Sequence, residues 1–266
     1  MTRNELQQFL NKLSKTVEPY LEALNRIGIE PETLEMLNKL SVAFEKSQAI
    51  DPFMEKMLDE MKTNSNFSEA LETIPYTELF RLLAKSEKIE TVSILDLINQ
   101  DTFKKELLQY FDQLNIGNHF EKRKALIEEA LKLYELNFFA GCLCLLHTQI
   151  EGIITDYLIF KQIIRKEVTN GKSKFINNQD SKQVTGLSKK IELARNINKN
   201  LLRLDSFVFD NDKNRKFHHE RNDLLHGSNI NNFNAERCFI LFIWIGSILG
   251  SIHLDSLQNN PQTKQS

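Results

Sequence analysis

Apolar residues recur at steps of three and four through much of the chain, which is the spacing of one face of an α-helix. The clearest runs fall at 6–27, 123–134, 187–204 and 235–257. Between residues 138 and 158 the chain is apolar almost all round, which is typical of a buried helix. Residues 171–186 are polar and predict a surface loop. The pattern therefore predicts an all-α fold.

The same pattern divides the chain into two helical regions. The polar segment 115–118 interrupts the apolar repeat and marks a boundary. We expect an acidic N-terminal helical domain at 1–115, a second helical domain at 116–258 and a polar tail at 259–266. Residues 1–115 contain no catalytic motif, so a regulatory or interaction role is expected for them.

Charge is distributed unevenly between these regions. Residues 1–120 hold 13 basic and 20 acidic residues, whereas residues 121–266 hold 21 basic and 16 acidic ones. The excess of positive charge is concentrated at 161–216, with 14 basic and 6 acidic residues. A basic segment beside an acidic domain indicates a local site for a polyanion, although a solvated lysine-rich loop explains the charge equally well.

Composition narrows the class of protein further. Nine glycines and five prolines in 266 residues disfavour a turn-rich all-β fold. The three cysteines Cys142, Cys144 and Cys238 have no zinc-ligand spacing, so we expect buried small side chains in a reducing cytoplasm and no metal. The most apolar stretch, 238–252, is shorter than the roughly 20 residues that span a bilayer. It predicts a core or interface helix that contains Trp244, and no membrane segment.

One segment, 217–227, combines a cation, an amide, an acid and an imidazole. Asn222 and His226 are four residues apart and share a helix face. Arg221 and His226 lie roughly 140° apart around a helix, so they converge only if the helix ends near Gly227. Without further context, such a group is more often a hydrogen-bond network at a helix end than a functional site.

Arg221, four intervening residues and His226 resemble the R-x(4–6)-H motif of HEPN domains (higher eukaryotes and prokaryotes nucleotide-binding). The apolar helix around Gln149-Ile150-Glu151-Gly152 is similar to that of bacterial abortive-infection HEPN proteins, and the resemblance covers about 120–258. It implies an up-and-down four-helix bundle that dimerises around the motif. It also implies a metal-independent endoribonuclease without a cofactor, of the toxin–antitoxin, abortive-infection or antiviral defence type.

The resemblance assigns roles to individual residues. His226 is the expected general base or acid, Arg221 the cation at the phosphorane, and Asn222 a positioning group, with Glu151 and Asp223 in support. Candidate RNA-binding residues lie in the basic segment or directly after it: Lys189, Lys190, Arg215, Lys216, His218 and His219. The isolated His147 and His253 receive no role.

The alternative reading of the motif is a non-catalytic HEPN dimer. In that case the chain acts as an RNA-, nucleotide- or protein-binding module. In either reading, residues 1–115 are candidates for contact with an antitoxin or a sensor partner.

Overall fold

The computed structural model describes residues 78, 94–114, 116–117, 120–198, 201, 221–224, 226–227 and 230–258. Its elements, in chain order, are a 3₁₀ helix at Ile94–Asn99, α1 at Asp101–Gln113, α2 at Phe120–Glu135, α3 at Phe139–Phe160, β1 at Ile164–Thr169, β2 at Lys172–Asn177, α4 at Gly186–Ile197, a 3₁₀ turn at Ile230–Asn232 and α5 at Ala235–Gln258. A short helical stretch also occupies 221–224. The described part of the chain is therefore mainly helical, as predicted.

The core forms where α1, α2 and α3 pack around the apolar helix α5. The ring of Phe242 on α5 lies edge-on to Phe103 of α1 and to Tyr134 of α2, with centroids 6.3 and 5.8 Å apart. Trp244, Phe239 and Phe242 are all buried, as expected for core residues. These aromatic residues contribute strongly to the stability of the core, because each buried aromatic side chain removes roughly 150–250 Å² of surface from water.

Contacts at both ends of α3 and α5 show how these two helices run. The thiol of Cys238 lies 3.6 Å from the carbonyl oxygen of Phe139, and the phenol of Tyr157 donates a 2.9 Å hydrogen bond to Asp255. Because early residues meet early residues and late ones meet late ones, α3 and α5 are parallel. Asn234 caps α5 by accepting a 3.0 Å hydrogen bond from the amide of Arg237.

The prediction of an all-α fold, with a loop at 171–186, is wrong in one element. β1 and β2 form an antiparallel hairpin that pairs Thr169 with Lys172 and Ile164 with Asn177. The two-residue turn is Asn170-Gly171, and both residues have positive φ, at 52° and 72°. Asn-Gly is favoured in such turns because both residues tolerate this backbone conformation. The many lysines hid the strand pattern from the sequence analysis.

Two smaller predictions also need correction. Helix α4 ends at Ile197 and does not continue unbroken to residue 204. Cys142 and Cys238 are buried as expected, but Cys144 is exposed because it lies on the outer face of α3. The expected helices before residue 78 lie outside the described residues, so the division of the chain at residue 115 stays a prediction.

Within the part of the chain that the structure describes, two helices are long and apolar enough to cross a membrane by length and composition. They are Phe139–Phe160 and Ala235–Leu257, with 56% and 72% of their most apolar stretches buried inside the protein. Burial of this kind is also expected for core helices of soluble proteins. The predictions of a cytoplasmic location and of no membrane segment stay predictions.

Candidate functional site

The site begins with two polar residues on α3, His147 and Glu151. They are four residues apart and therefore lie on the same side of the helix, one turn from each other. Burial removes much of the contact of both groups with water, so they need polar partners to offset that loss. The partners of Glu151 come from α4 and from the 221–224 stretch.

Glu151 is shared between two cations. Its Oε2 accepts a 2.5 Å charge-assisted hydrogen bond from Nη2 of Arg221, and its Oε1 accepts a 2.8 Å bond from Nζ of Lys190. Glu151, the residue expected to support the motif, lies in direct contact with Arg221. One negative charge thus meets two positive ones, which leaves this group with a net charge of about +1 at neutral pH.

Lys190 contributes an ammonium group that is almost fully removed from water. Its side chain is only 6% exposed, and Nζ lies 4.6 Å from the centre of the Phe175 ring on β2. Lys190 is therefore engaged by Glu151 and by an aromatic face, and it does not present an exposed charge to RNA as its place in the basic segment suggested. The sequence could not reveal this contact, because Lys190 and Glu151 are 39 residues apart.

His147 is the residue of the site that the sequence analysis missed. Burial, and after it the positive charges of Arg221 and Arg237, lower its pKa to about 3. The imidazole is consequently neutral at physiological pH. The available signal was its spacing of four residues before Glu151 on a buried helix.

The residues of the 221–227 segment differ in their exposure to solvent. Arg221 is directed inward, with a side chain 16% exposed, and Leu224 is buried. Asn222, Asp223 and His226 are exposed. The amide of His226 donates to the carbonyl of Asn222 at 2.9 Å, and Gly227 has φ +72°, so the helix ends where the sequence analysis expected.

A second arginine–carboxylate pair lies further along α3. Nε of Arg123 on α2 is 2.5 Å from Oδ2 of Asp156, and its Nη1 donates a 3.0 Å hydrogen bond to Oε1 of Gln149. A Cβ atom at Gly152 would overlap the Arg123 guanidinium. Gly152 is therefore the place where Arg123 lies directly against the helix backbone. Asp156 is thus held in a salt bridge that joins α2 to α3.

The remaining RNA-binding candidates divide into two groups. Lys189 is exposed on α4 and pairs with Glu192 at 2.7 Å. The others lie outside the described residues: Arg215, Lys216, His218 and His219. Among the residues that the structure describes, no group of three or more His, Cys, Asp or Glu side chains is arranged to hold a metal ion.

Comparison of the chain with protein-family models, with curated proteins and with solved structures finds no match. Any function assigned to the chain therefore rests on the chemistry of its own residues and on the motif at Arg221 and His226.

Proposed function

We propose that the protein is a HEPN-like, metal-independent endoribonuclease of the defence or toxin type, which cleaves RNA as a homodimer in the cytoplasm. The observation that supports this best is the contact between Arg221 and Glu151. It ties the cation of the R-x4-H motif to the acid of the buried helix and leaves the pair with Lys190 at a net positive charge. A site for a phosphodiester requires such a surplus of positive charge.

The chemistry assigns one role to each polar group. The ribose 2′-oxygen attacks the adjacent phosphorus while the P–O5′ bond breaks, which yields a 2′,3′-cyclic phosphate and a 5′-hydroxyl. His226 of one protomer takes the 2′-hydroxyl proton, and the same residue of the second protomer gives a proton to the leaving 5′-oxygen. Arg221 stabilises the charge that develops on the phosphoryl oxygens, and Asn222 positions one of them.

A dimer makes this division of work possible, because each chain supplies a single histidine within the motif. The exposure of His226 on the surface of the described chain is compatible with its meeting a second copy. The finer fold assignment belongs to the same proposal: an up-and-down four-helix bundle that pairs through the 221–227 segment.

The β1–β2 hairpin supplies a surface for the RNA backbone. Lys172 and Lys174 are exposed on the face of the hairpin opposite Phe175, and Lys166 is exposed on the face that carries Phe175. The hairpin packs against the site through Phe175 and Lys190. Lysine contacts with phosphates carry affinity without sequence preference. We expect lysines of the hairpin to bind the phosphate backbone of RNA and to hold the RNA beside Arg221.

The test is incubation of labelled tRNA and mRNA with the wild type and with His226→Ala, in EDTA. The wild type is expected to cut and leave 2′,3′-cyclic phosphate ends, whereas the variant should lose about 10²–10⁴-fold in rate because one proton transfer is removed. His253→Gln is a matched control, since this imidazole lies near the end of α5 and packs against Tyr110, with ring centroids 5.9 Å apart and ring planes tilted by 57°. Full cleavage by His226→Ala would overturn the assignment.

A second candidate function is the non-catalytic HEPN dimer that binds RNA, a nucleotide or a protein. It is favoured by the inward direction of Arg221, whose Nη2 is held by Glu151, while His226 is exposed. This candidate predicts that the folded wild-type dimer binds RNA or a protein partner and never cuts it. The same incubation, with binding measured alongside cleavage, distinguishes the two.

A further inference from the structure

The burial of the Lys190 ammonium group calls for a physical reason. Removing an ammonium ion from water costs several kcal/mol even after the protein relaxes around it, and a single ion pair often does no more than offset this. A methionine at position 190 would keep an unbranched side chain beside Phe175 without the ammonium ion, and it would leave Glu151 with Arg221 as a simple pair. The lysine is therefore better explained by what it does to the charge of the site than by stability.

Lys190 changes how tightly Glu151 holds Arg221. In a one-to-one pair, a phosphate that approaches Arg221 competes with the carboxylate, and moving the guanidinium away leaves a half-buried carboxylate without a cation. With Lys190 on Oε1, Glu151 keeps a cation when Arg221 turns toward a phosphate. The two contacts use different oxygens of the same carboxylate, so they do not exclude each other.

Arg221 also has N–H donors that its contact with Glu151 does not use. A guanidinium carries five N–H donors, and the contact with Glu151 uses Nη2. The Nε of Arg221 is buried and has no hydrogen-bond partner within the part of the chain that the structure describes. A buried donor of this kind is stabilised when an acceptor reaches it, and a phosphate oxygen is an acceptor with the matching charge.

We propose that Lys190 is a positioning residue that keeps Arg221 available for a phosphate of RNA by sharing the charge of Glu151. This inference rests on the proposed function for the identity of the anion. Lys190 does not touch the substrate. It acts through Glu151, and it connects the site to the β1–β2 hairpin because the face of Phe175 covers its ammonium group.

The test is a cycle of four proteins built on His226→Ala, so that bound RNA is not cut: the parent, Lys190→Met, Glu151→Gln and the double variant. Dissociation constants are measured for a labelled single-stranded RNA at fixed salt. Lys190→Met should weaken binding about tenfold, because Arg221 then forms a neutral pair with Glu151. The double variant should regain the parent affinity within about threefold, because the neutral amide introduced by Glu151→Gln no longer draws the guanidinium away from the phosphate.

A purely structural role for Lys190 predicts that the four proteins, once folded, bind RNA with the same affinity and differ only in the free energy of unfolding. A Lys190→Met protein with unchanged affinity, or a double variant that binds RNA no better than Lys190→Met, would overturn the proposal. Lys190→Arg keeps the charge and should bind RNA like the parent even if Lys190→Met folds poorly, so loss of binding in Lys190→Arg counts against charge sharing as well.

The same experiments keep this inference separate from the nuclease assignment. If the wild type binds RNA with the expected rescue but does not cut it, the nuclease assignment is rejected and the positioning role of Lys190 is supported. If the wild type cuts RNA and Lys190→Met changes neither KM nor kcat, the role of Lys190 is rejected and the nuclease assignment is supported. A folded wild type that neither binds nor cuts RNA overturns both.

Discussion

Two arginine–carboxylate pairs on helix α3 look alike and differ in the use of their charges. Arg221 with Glu151 and Arg123 with Asp156 both have N–O distances of 2.5 Å, and both arginine side chains are less than one-fifth exposed. Arg123 uses two nitrogens, one on Asp156 and one on Gln149. Arg221 shares its carboxylate with Lys190 and keeps Nε without a partner among the described residues.

The difference shows how one helix combines a structural clamp with a candidate site. The Arg123–Asp156 pair is neutral, and two nitrogens of Arg123 are engaged by a carboxylate and an amide. The guanidinium lies against Gly152, so the pair joins α2 to α3. The Arg221–Glu151–Lys190 group has surplus positive charge and an unused donor. A phosphate can gain from the second group and has little to gain from the first.

Replacing each arginine in turn tests most directly whether the two pairs differ in function. Arg221→Met should lower the rate of RNA cleavage by about 10²–10³-fold, since the group that stabilises the transition-state charge is lost. Arg123→Met should leave the rate per folded molecule within about threefold and lower the free energy of unfolding by about 3 kcal/mol, because Asp156 then loses its partner. Cleavage rates and urea unfolding of both variants provide the measurement. Equal loss of cleavage in the two would show that both pairs are structural.

His147 provides the next test, because only the Arg221 side of the helix holds a histidine at a pKa of about 3. Its pKa in the unfolded chain is close to 6.5. As pH falls below 6.5, His147 binds a proton in the unfolded chain but stays neutral in the folded protein. The free energy of unfolding therefore decreases as the pH falls from 6.5 to 3. The expected slope from this one group is about 1.4 kcal/mol per pH unit.

His147→Gln should remove that slope, since the amide does not titrate. The free energy of unfolding in urea, measured at several pH values from 7 down to 4, would be compared for the wild type and the variant. The carboxylates contribute equally to both proteins and cancel in the difference. Parallel curves would mean that His147 is solvated in the folded protein and that the arginines do not act on it.

The sequence was sufficient for the long helices but not for the contacts between them. Apolar periodicity predicts α2 and α5, the nearly continuous apolar stretch predicts α3, and Gly227 marks a helix end correctly, because these features depend on neighbours within one or two turns. The hairpin was missed because lysines occupy its exposed positions, although Asn170-Gly171 was the available turn signal.

For the site, the sequence suggested Arg221 and Glu151 but could not reveal that Lys190 joins them. Lys190 comes to Glu151 through the hairpin and α4, over 39 residues, and a lysine-rich segment gives no indication of which lysine is buried. His147 was overlooked for a related reason: an isolated histidine has no partner in sequence, and Arg221 and Arg237 reach it only in the folded chain.

The smallest predicted effect concerns Gly152, where the Arg123 clamp meets the helix backbone. Glycine within a helix is normally about 1 kcal/mol less favourable than alanine, so Gly→Ala should stabilise α3. At Gly152 the added Cβ would overlap the guanidinium of Arg123 and displace it from Asp156 and Gln149, so we expect Gly152→Ala to lose about 1 kcal/mol in urea unfolding. In the Arg123→Met background the obstacle is gone and the same change should gain up to about 1 kcal/mol.

Gly141→Ala is the matched control on the same helix, because its Cβ would meet only the movable side chain of Leu133, at 3.3 Å. Stabilisation by Gly152→Ala in the wild-type background would mean that Arg123 does not clamp the helix, and it would remove the contrast with Arg221.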